Sequence, residues 1–200
     1  MKTKRLLLAP LLVVLALVAP RPAYAEDAVP PPSNPSRVPH VLLGAGLSYG
    51  QLFGIGARAT AIEGGLVVDM SRHVALSVGA DVELGKMTIA ELPMGDVAVF
   101  GTIDGVAGRF RFGAGPQLSY FWMSRTTASS APTIDAIGLG ARARVSVDLL
   151  RFDDERPEHS RGIFLAVSPD FEWLRGPSKI VDFTTGTLAW RANATVGLRF

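Results

Sequence analysis

Thr187 to Phe200 reads TLAWRANATVGLRF. Leu188, Trp190, Ala192, Ala194, Val196, Leu198 and Phe200 are apolar, and Ala189, Arg191, Asn193, Thr195, Gly197 and Arg199 lie between them. A period of two puts each set on its own face of a strand. One face is wholly apolar. The other carries two guanidinium groups among small and polar side chains.

Working back from this stretch, the same alternation recurs seven times, over Val41–Tyr49, Ile62–Met70, Val74–Leu84, Val97–Ile103, Phe110–Trp122, Ile137–Leu149 and Ile163–Trp173. No apolar-facing position in these segments is charged. The opposite face carries Glu63, Asp69, Asp81, Glu83, Asp96, Asp104, Arg109, Arg111, Arg142, Arg144, Asp148, Asp170, Glu172, Arg191 and Arg199, six Arg against nine acids. No helical period competes with this pattern. Pro116 and Pro169 fall inside strands and remove a ladder donor, which predicts bulges there.

The connections alternate in kind. Ser71-Arg72-His73 and Asp104–Gly108 (DGVAG) read as short turns on one rim. On the other rim the connections are looser, through Gly54-Ile55-Gly56 and through the Gly-, Ser-, Thr- and Pro-containing stretches 124–133 and 176–186. Short turns at one end and longer loops at the other are the pattern of outer-membrane barrels. Phe152–Gly162 (FDDERPEHSRG) is the exception, a long charged turn on the short-turn rim.

Alternation does not by itself say which face is inside, because a soluble barrel also alternates. Three features place the apolar face outward. Beyond residue 25 there are two Lys, Lys86 and Lys179, where a soluble exterior would be rich in Lys. The polar face is crowded with small residues (Gly44, Gly46, Ser48, Ser77, Gly79, Gly113, Gly138, Gly140), which suits a cramped lumen. The aromatics fall in bands: Trp122, Trp173 and Trp190 at the loop end, Phe110, Phe112 and Phe200 at the turn end. Aromatic girdles mark the two membrane interfaces. The expected fold is all-β, an eight-stranded antiparallel up-and-down transmembrane β-barrel over residues 40–200.

The 200 residues contain no Cys, so disulfides and thiolate metal sites are excluded. Residues 1–25 read as a cleaved signal peptide. Lys2, Lys4 and Arg5 precede an apolar run from Leu6 to Ala19, shorter than the ~20 residues of a spanning helix, and Ala23-Tyr24-Ala25 is a small-x-small cleavage site. Residues 26–39 (EDAVPPPSNPSRVP) read as a Pro-rich periplasmic leader. The whole chain has 20 Lys+Arg and 18 Asp+Glu. Without Lys2, Lys4, Arg5 and Arg21 the remainder holds 16 basic and 18 acidic residues, net −2, and no nucleic-acid footprint.

The signal peptide, the eight alternating segments, the terminal Phe200 and the phrase GAGPQLSY at Gly113–Tyr120 together resemble small bacterial outer-membrane barrels of the OmpA/OmpX type. The resemblance covers residues 40–200. It implies a Gram-negative outer-membrane location with both termini periplasmic. It implies partners in outer-membrane lipid and in the barrel-assembly machinery, which reads a closing strand ending in Phe. It names no extracellular partner.

Residues that could carry chemistry are few. His40, His73 and His159 map to the periplasmic rim without a converging acid set, and read as isolated. Barrel enzymes of the outer membrane resemble one another in a His near the outer end, which is missing here, so no enzymatic activity is expected. Asn193-Ala194-Thr195 faces the lumen and does not read as a glycosylation site. Gly54-Ile55-Gly56 lacks the following helix of a phosphate cradle. Asp153, Asp154, Glu155 and Glu158 are interspersed with Arg151, Arg156 and Arg161 and read as a solvated turn. No cofactor or metal is expected. The set with functional content is the lumen charges: Glu63, Asp69, Asp81, Glu83, Arg109, Arg111, Arg142, Arg144, Asp148, Asp170, Glu172 and Arg191. At eight strands side chains fill the interior, and buried charges must pair. The expectation is a barrel plugged by paired charges with a structural or surface-interaction role. The alternative is a narrow porin-like channel for ions or small solutes.

Overall fold

The computed structural model describes residues 39–71, 73–88, 91–124, 133–152, 161–176 and 186–200. The expected signal peptide, the leader to residue 38, Arg72, Lys179, His159 and the cluster Asp153, Asp154, Glu155, Arg156 and Glu158 lie outside the described residues.

The chain forms β1 (His40–Leu52), β2 (Ile55–Asp69), β3 (Val74–Met87), β4 (Pro93–Ala107), β5 (Phe110–Ser124), β6 (Thr133–Arg151), β7 (Gly162–Arg175) and β8 (Thr187–Arg199). Each strand pairs antiparallel with the next, and β8 returns to β1, closing the barrel. At the seam Val41 and Phe200 exchange both backbone hydrogen bonds, at 2.8 and 3.0 Å. Closure gives every strand a neighbour on both sides and leaves no edge. This is the expected eight-stranded up-and-down architecture.

Burial follows the alternation and assigns the faces. Leu47 is 70% exposed and Ile103 68%, whereas Arg142 is 1% exposed and Asp170 0%. The apolar face is therefore outside and the charged face inside, the reverse of a soluble barrel.

Several boundaries differ from the sequence reading. β2 begins at Ile55 rather than Ile62, so the expected Gly54-Ile55-Gly56 loop is a two-residue hairpin. Phe53 and Gly54 have φ of 55° and 76°. Two left-handed central residues are what a type I′ turn needs to match the twist of its strands. β4 runs on through Asp104 to Ala107, and the turn is Gly108-Arg109, with Gly108 at φ 60°. The DGVA stretch looked like a turn because it is small and Gly-containing. It pairs instead with Phe110–Gly113.

The proline bulges do not form. The ladder skips Gly101–Thr102 opposite Gly115–Pro116 and Ala143–Arg144 opposite Ser168–Pro169, but the register is the same on either side. A missing donor thus costs a pairing without inserting a residue. The register shift lies between Asp148 and Leu150 near the end of β6, turning both Leu149 and Leu150 outward. A bulge at a barrel rim is its usual place.

Two apolar clusters lie inside, one at each end. At the loop end Leu52, Ala57, Met87, Met94, Phe121, Met123, Ile134, Ala136, Leu174 and Ala189 meet, so every strand contributes. At the turn end Leu42, Val67, Ala75, Phe164 and Ala166 pack together.

Candidate functional site

The polar interior lies between these clusters. Its centre is built by alternate residues of β3, β4, β6, β7 and β8. Arg191 on β8 is 2% exposed and faces four carboxylates: Asp96, Glu172 at 3.0 Å, Asp170 at 3.3 Å and Glu83 at 3.5 Å. Arg142 on β6 donates to Asp81 across the lumen and lies 3.5 Å from Asp170 on the adjacent strand. Five carboxyl groups thus surround two guanidinium groups. Uncharged donors meet part of the surplus. Asn193 Nδ2 donates to Glu83 at 2.7 Å, Ser119 Oγ to Glu172 at 2.9 Å, and Gln117 Nε2 to the other oxygen of Glu172. Low-dielectric surroundings strengthen such a network when it is satisfied and penalise any group left alone.

Toward the turn end the shared network gives way to separate pairs, several of them still spanning the lumen. Arg144 donates to Glu63. Arg111 reaches Asp69 at 3.0 Å, with His40 Nε2 3.6 Å from the same carboxylate. Asp148 accepts from Arg199 at 2.9 Å and lies 3.2 Å from Arg151. Asp104 accepts from Ser77 and, at 2.6 Å, from Thr102.

Two interior aromatics organise the guanidinium groups. Arg142 lies 4.3 Å from the centre of the Phe100 ring, and Arg144 and Arg199 lie 5.4 and 5.7 Å from that of Phe164. The rings fit because each sits directly opposite a glycine, Phe100 opposite Gly79 and Phe164 opposite Gly197. A Cβ on Gly79 would fall 2.7 Å from the Phe100 ring. The outer wall repeats the device, with Phe112 opposite Gly105 and Trp122 opposite Gly95.

Of the charges expected in the lumen, Glu63, Asp69, Asp81, Glu83, Arg111, Arg142, Arg144, Asp148, Asp170, Glu172 and Arg191 are buried inside. Arg109 is not. It is exposed in the turn between β4 and β5, because β4 runs longer than its alternation suggested and takes the turn to Gly108-Arg109. Five Arg therefore line the buried interior among the described residues. The aromatics Trp122, Trp173, Trp190, Phe110, Phe112 and Phe200 point outward at strand ends, as expected from phase. Trp122 is half-buried over Gly95. Tyr49 packs edge-on against Trp190 at 6.3 Å, and Trp190 Nε1 donates to Gln51 at 3.2 Å.

Sequence reasoning missed Phe100 and Phe164, the hydrogen-bonding role of Gln117 and Ser119, and the apolar cap at the loop end. A signal for the cap was present. Leu52, Phe121, Met123 and Leu174 fall on the polar phase of their strands, so both phases turn apolar near that end. Among the described residues no His/Asp/Glu group is arranged to hold a metal ion.

No protein-family model and no curated protein sequence matches this chain. Solved structures do match. Neisserial surface protein A aligns with 80% of this chain and 95% of its own at TM-score 0.52 and 13% identity. The N-terminal β-barrel domain of Pseudomonas aeruginosa OprF aligns over 81% and 97%, with TM-score 0.46 and 14% identity. The P. aeruginosa outer membrane protein OprG aligns over 81% and 95%, with TM-score 0.41 and 11% identity. The class defined by the fold is the small eight-stranded outer-membrane-type β-barrel. At these identities the likeness to Neisserial surface protein A carries the fold alone.

Proposed function

We propose that this protein is a small outer-membrane barrel with a structural or surface-interaction role and a lumen closed by its own side chains. The observation that carries this reading is the filling of the interior. The Arg142 and Arg191 ion pairs and the Arg144 to Glu63 pair lie beneath an apolar layer to which every strand contributes. A solute would have to break buried ion pairs and also wet an apolar constriction, both costly steps.

The outer face supports the membrane reading. Leu47, Ile62, Val78, Val99, Ile103, Leu139 and Val196 are all at least half exposed, a belt that water would not tolerate as a monomer's surface. In this reading Trp122, Trp173 and Trp190 sit at the outer interface, and Phe110, Phe112 and Phe200 at the periplasmic one. Both termini are periplasmic, residues 1–25 are removed on export, and assembly proceeds through the barrel-assembly machinery with the Phe200 end of β8 as signal. No catalytic role is assigned to any side chain.

The test is single-channel conductance of the purified barrel in a planar bilayer. Silence at both polarities is the expected result. A stable conductance that falls stepwise as the interior charges are neutralised would replace this reading by the porin-like channel.

A further inference from the structure

On the outer wall, at the loop end of β8, β1, β2 and β3, a groove of about 690 Å³ runs between Leu47, Tyr49 and Leu84 over the small residues Thr60, Ala192 and Ala194. Arg58 and Lys86 stand at its head. They are direct cross-strand partners on β2 and β3. Both point outward, with side chains 64% and 55% exposed. Like charges placed opposite one another across a ladder repel, so this pair needs an anion. Glu91, in the connection to β4, supplies one carboxylate, at 2.9 Å from Arg58 and 3.3 Å from Lys86. Among the described residues, one negative charge shared by two cations leaves a positive excess beside the apolar groove.

We infer that this wall binds a phosphorylated lipid of the outer leaflet, its phosphate between Arg58 and Lys86 and an acyl chain in the groove. The inference rests on the membrane reading above, which puts this end of the barrel at the outer leaflet. The chemistry favours a phosphate monoester. The Arg58 guanidinium can fork onto two phosphate oxygens, and the Lys86 ammonium adds a point charge. A monoester leaves a third terminal oxygen for Lys86 once Arg58 holds two, whereas a phosphodiester has only two non-bridging oxygens. The groove selects for a chain rather than a free phosphate, because Ala192, Ala194 and Thr60 leave a channel between bulkier neighbours. The Tyr49–Trp190 pair borders it at the level where an amphipathic indole meets headgroups.

The test is native mass spectrometry of the full barrel released from neutral detergent micelles, with lipid A or phosphatidylglycerol added. The expected result is one retained lipid A and weaker retention of phosphatidylglycerol. The double variant Arg58→Gln with Lys86→Gln should weaken lipid A retention by about thirtyfold, the combined effect of two basic side chains facing an anionic lipid. Ala194→Trp, which fills the groove and leaves both charges, should weaken it as well. Equal retention of phosphatidylglycerol, unchanged retention in either variant, or none in the wild type would overturn the site. Heat-modifiable gel mobility and insertion into vesicles, followed for each protein, report separately on the barrel and on the membrane reading.

Discussion

Arg142 shows what is at stake for a single residue inside a closed barrel. It is buried against Asp81, Asp170 and the Phe100 ring, with no solvent to take its place. Truncating one member of such a group leaves its partners charged and alone, which typically costs about 3–5 kcal/mol. Arg142→Ala should therefore lower the unfolding free energy, read from urea titration of the protein in lipid vesicles, by an amount in that range. Adding Asp81→Asn should restore part of the loss, since directly bonded neighbours are not additive. Full additivity of the two changes would show that the pair is not coupled. Three residues further along β6, Val145 is 44% exposed on the outer wall, and Ser146 beside it is buried inside. Val145→Arg should cost less than the about 2–4 kcal/mol of a midplane position, because its cross-strand partner Phe112 stands in the aromatic band at the turn end. Equal tolerance of Val145→Arg and Val145→Leu in lipid vesicles would contradict an outward-facing lipid surface.

Strands bring these residues together through pairings that recur as a local device. Four aromatic rings lie across from glycines, two inward and two outward, so a ring can lie flat over the neighbouring backbone. Inside, this converts empty space above Gly79 and Gly197 into platforms for guanidinium groups. Phe164→Ala should remove packing and both ring contacts of Arg144 and Arg199, lowering stability by about 3–5 kcal/mol as other large-to-small core changes do. Phe164→Leu, which keeps bulk but loses the π face, should recover much of that. The two equilibrium unfolding curves compared with wild type check it. An Ala variant as stable as wild type would mean the ring is dispensable. The β1–β2 hairpin makes a second point at this scale. Gly54 sits at φ 76° with open space around the missing Cβ. Gly54→Val is therefore expected to destabilise through backbone strain rather than through a clash.

For the molecule as a whole, closure matters more than any one pair. β1 and β8 meet along Leu42–Gln51 and Trp190–Arg199, and the Val41–Phe200 hydrogen bonds finish the seam. Deleting Phe200 should remove that last pair of bonds and an outward aromatic. We predict lower yield in the outer membrane and more protease-sensitive protein in the periplasm. Unchanged yield and unchanged heat-modifiability would end the view that this residue directs assembly. Within the lumen, one apolar cluster lies toward each end of the charged centre. The loop-end cluster takes residues from all eight strands, so the packing there depends on closure of the whole barrel.

The alternation in TLAWRANATVGLRF and its seven counterparts was enough to determine that this chain makes strands and how many; which face lies outward took the scarcity of Lys, the small residues of the polar phase and the banding of the aromatics as well. That information is local: a side-chain period of two and the chemistry of each phase are carried by every few residues. Strand ends were less legible. The continuation of β4 through DGVA and the two-residue Phe53-Gly54 turn depend on what lies opposite, and pairing is a property of two segments. Arg109 was misplaced for that reason. Asp170 could be named beside Arg142 because adjacent strands are neighbours in sequence order. Asp81 could not, because it reaches Arg142 across the lumen from β3. Only the stagger and closure of the tertiary structure decide which side chains meet across that space. The surplus of acids told the composition of the interior, but not that Gln117, Ser119 and Asn193 would serve it, nor that Phe100 and Phe164 would hold its cations. Those assignments follow from distances of a few ångströms between residues tens of positions apart, set when the eighth strand pairs with the first.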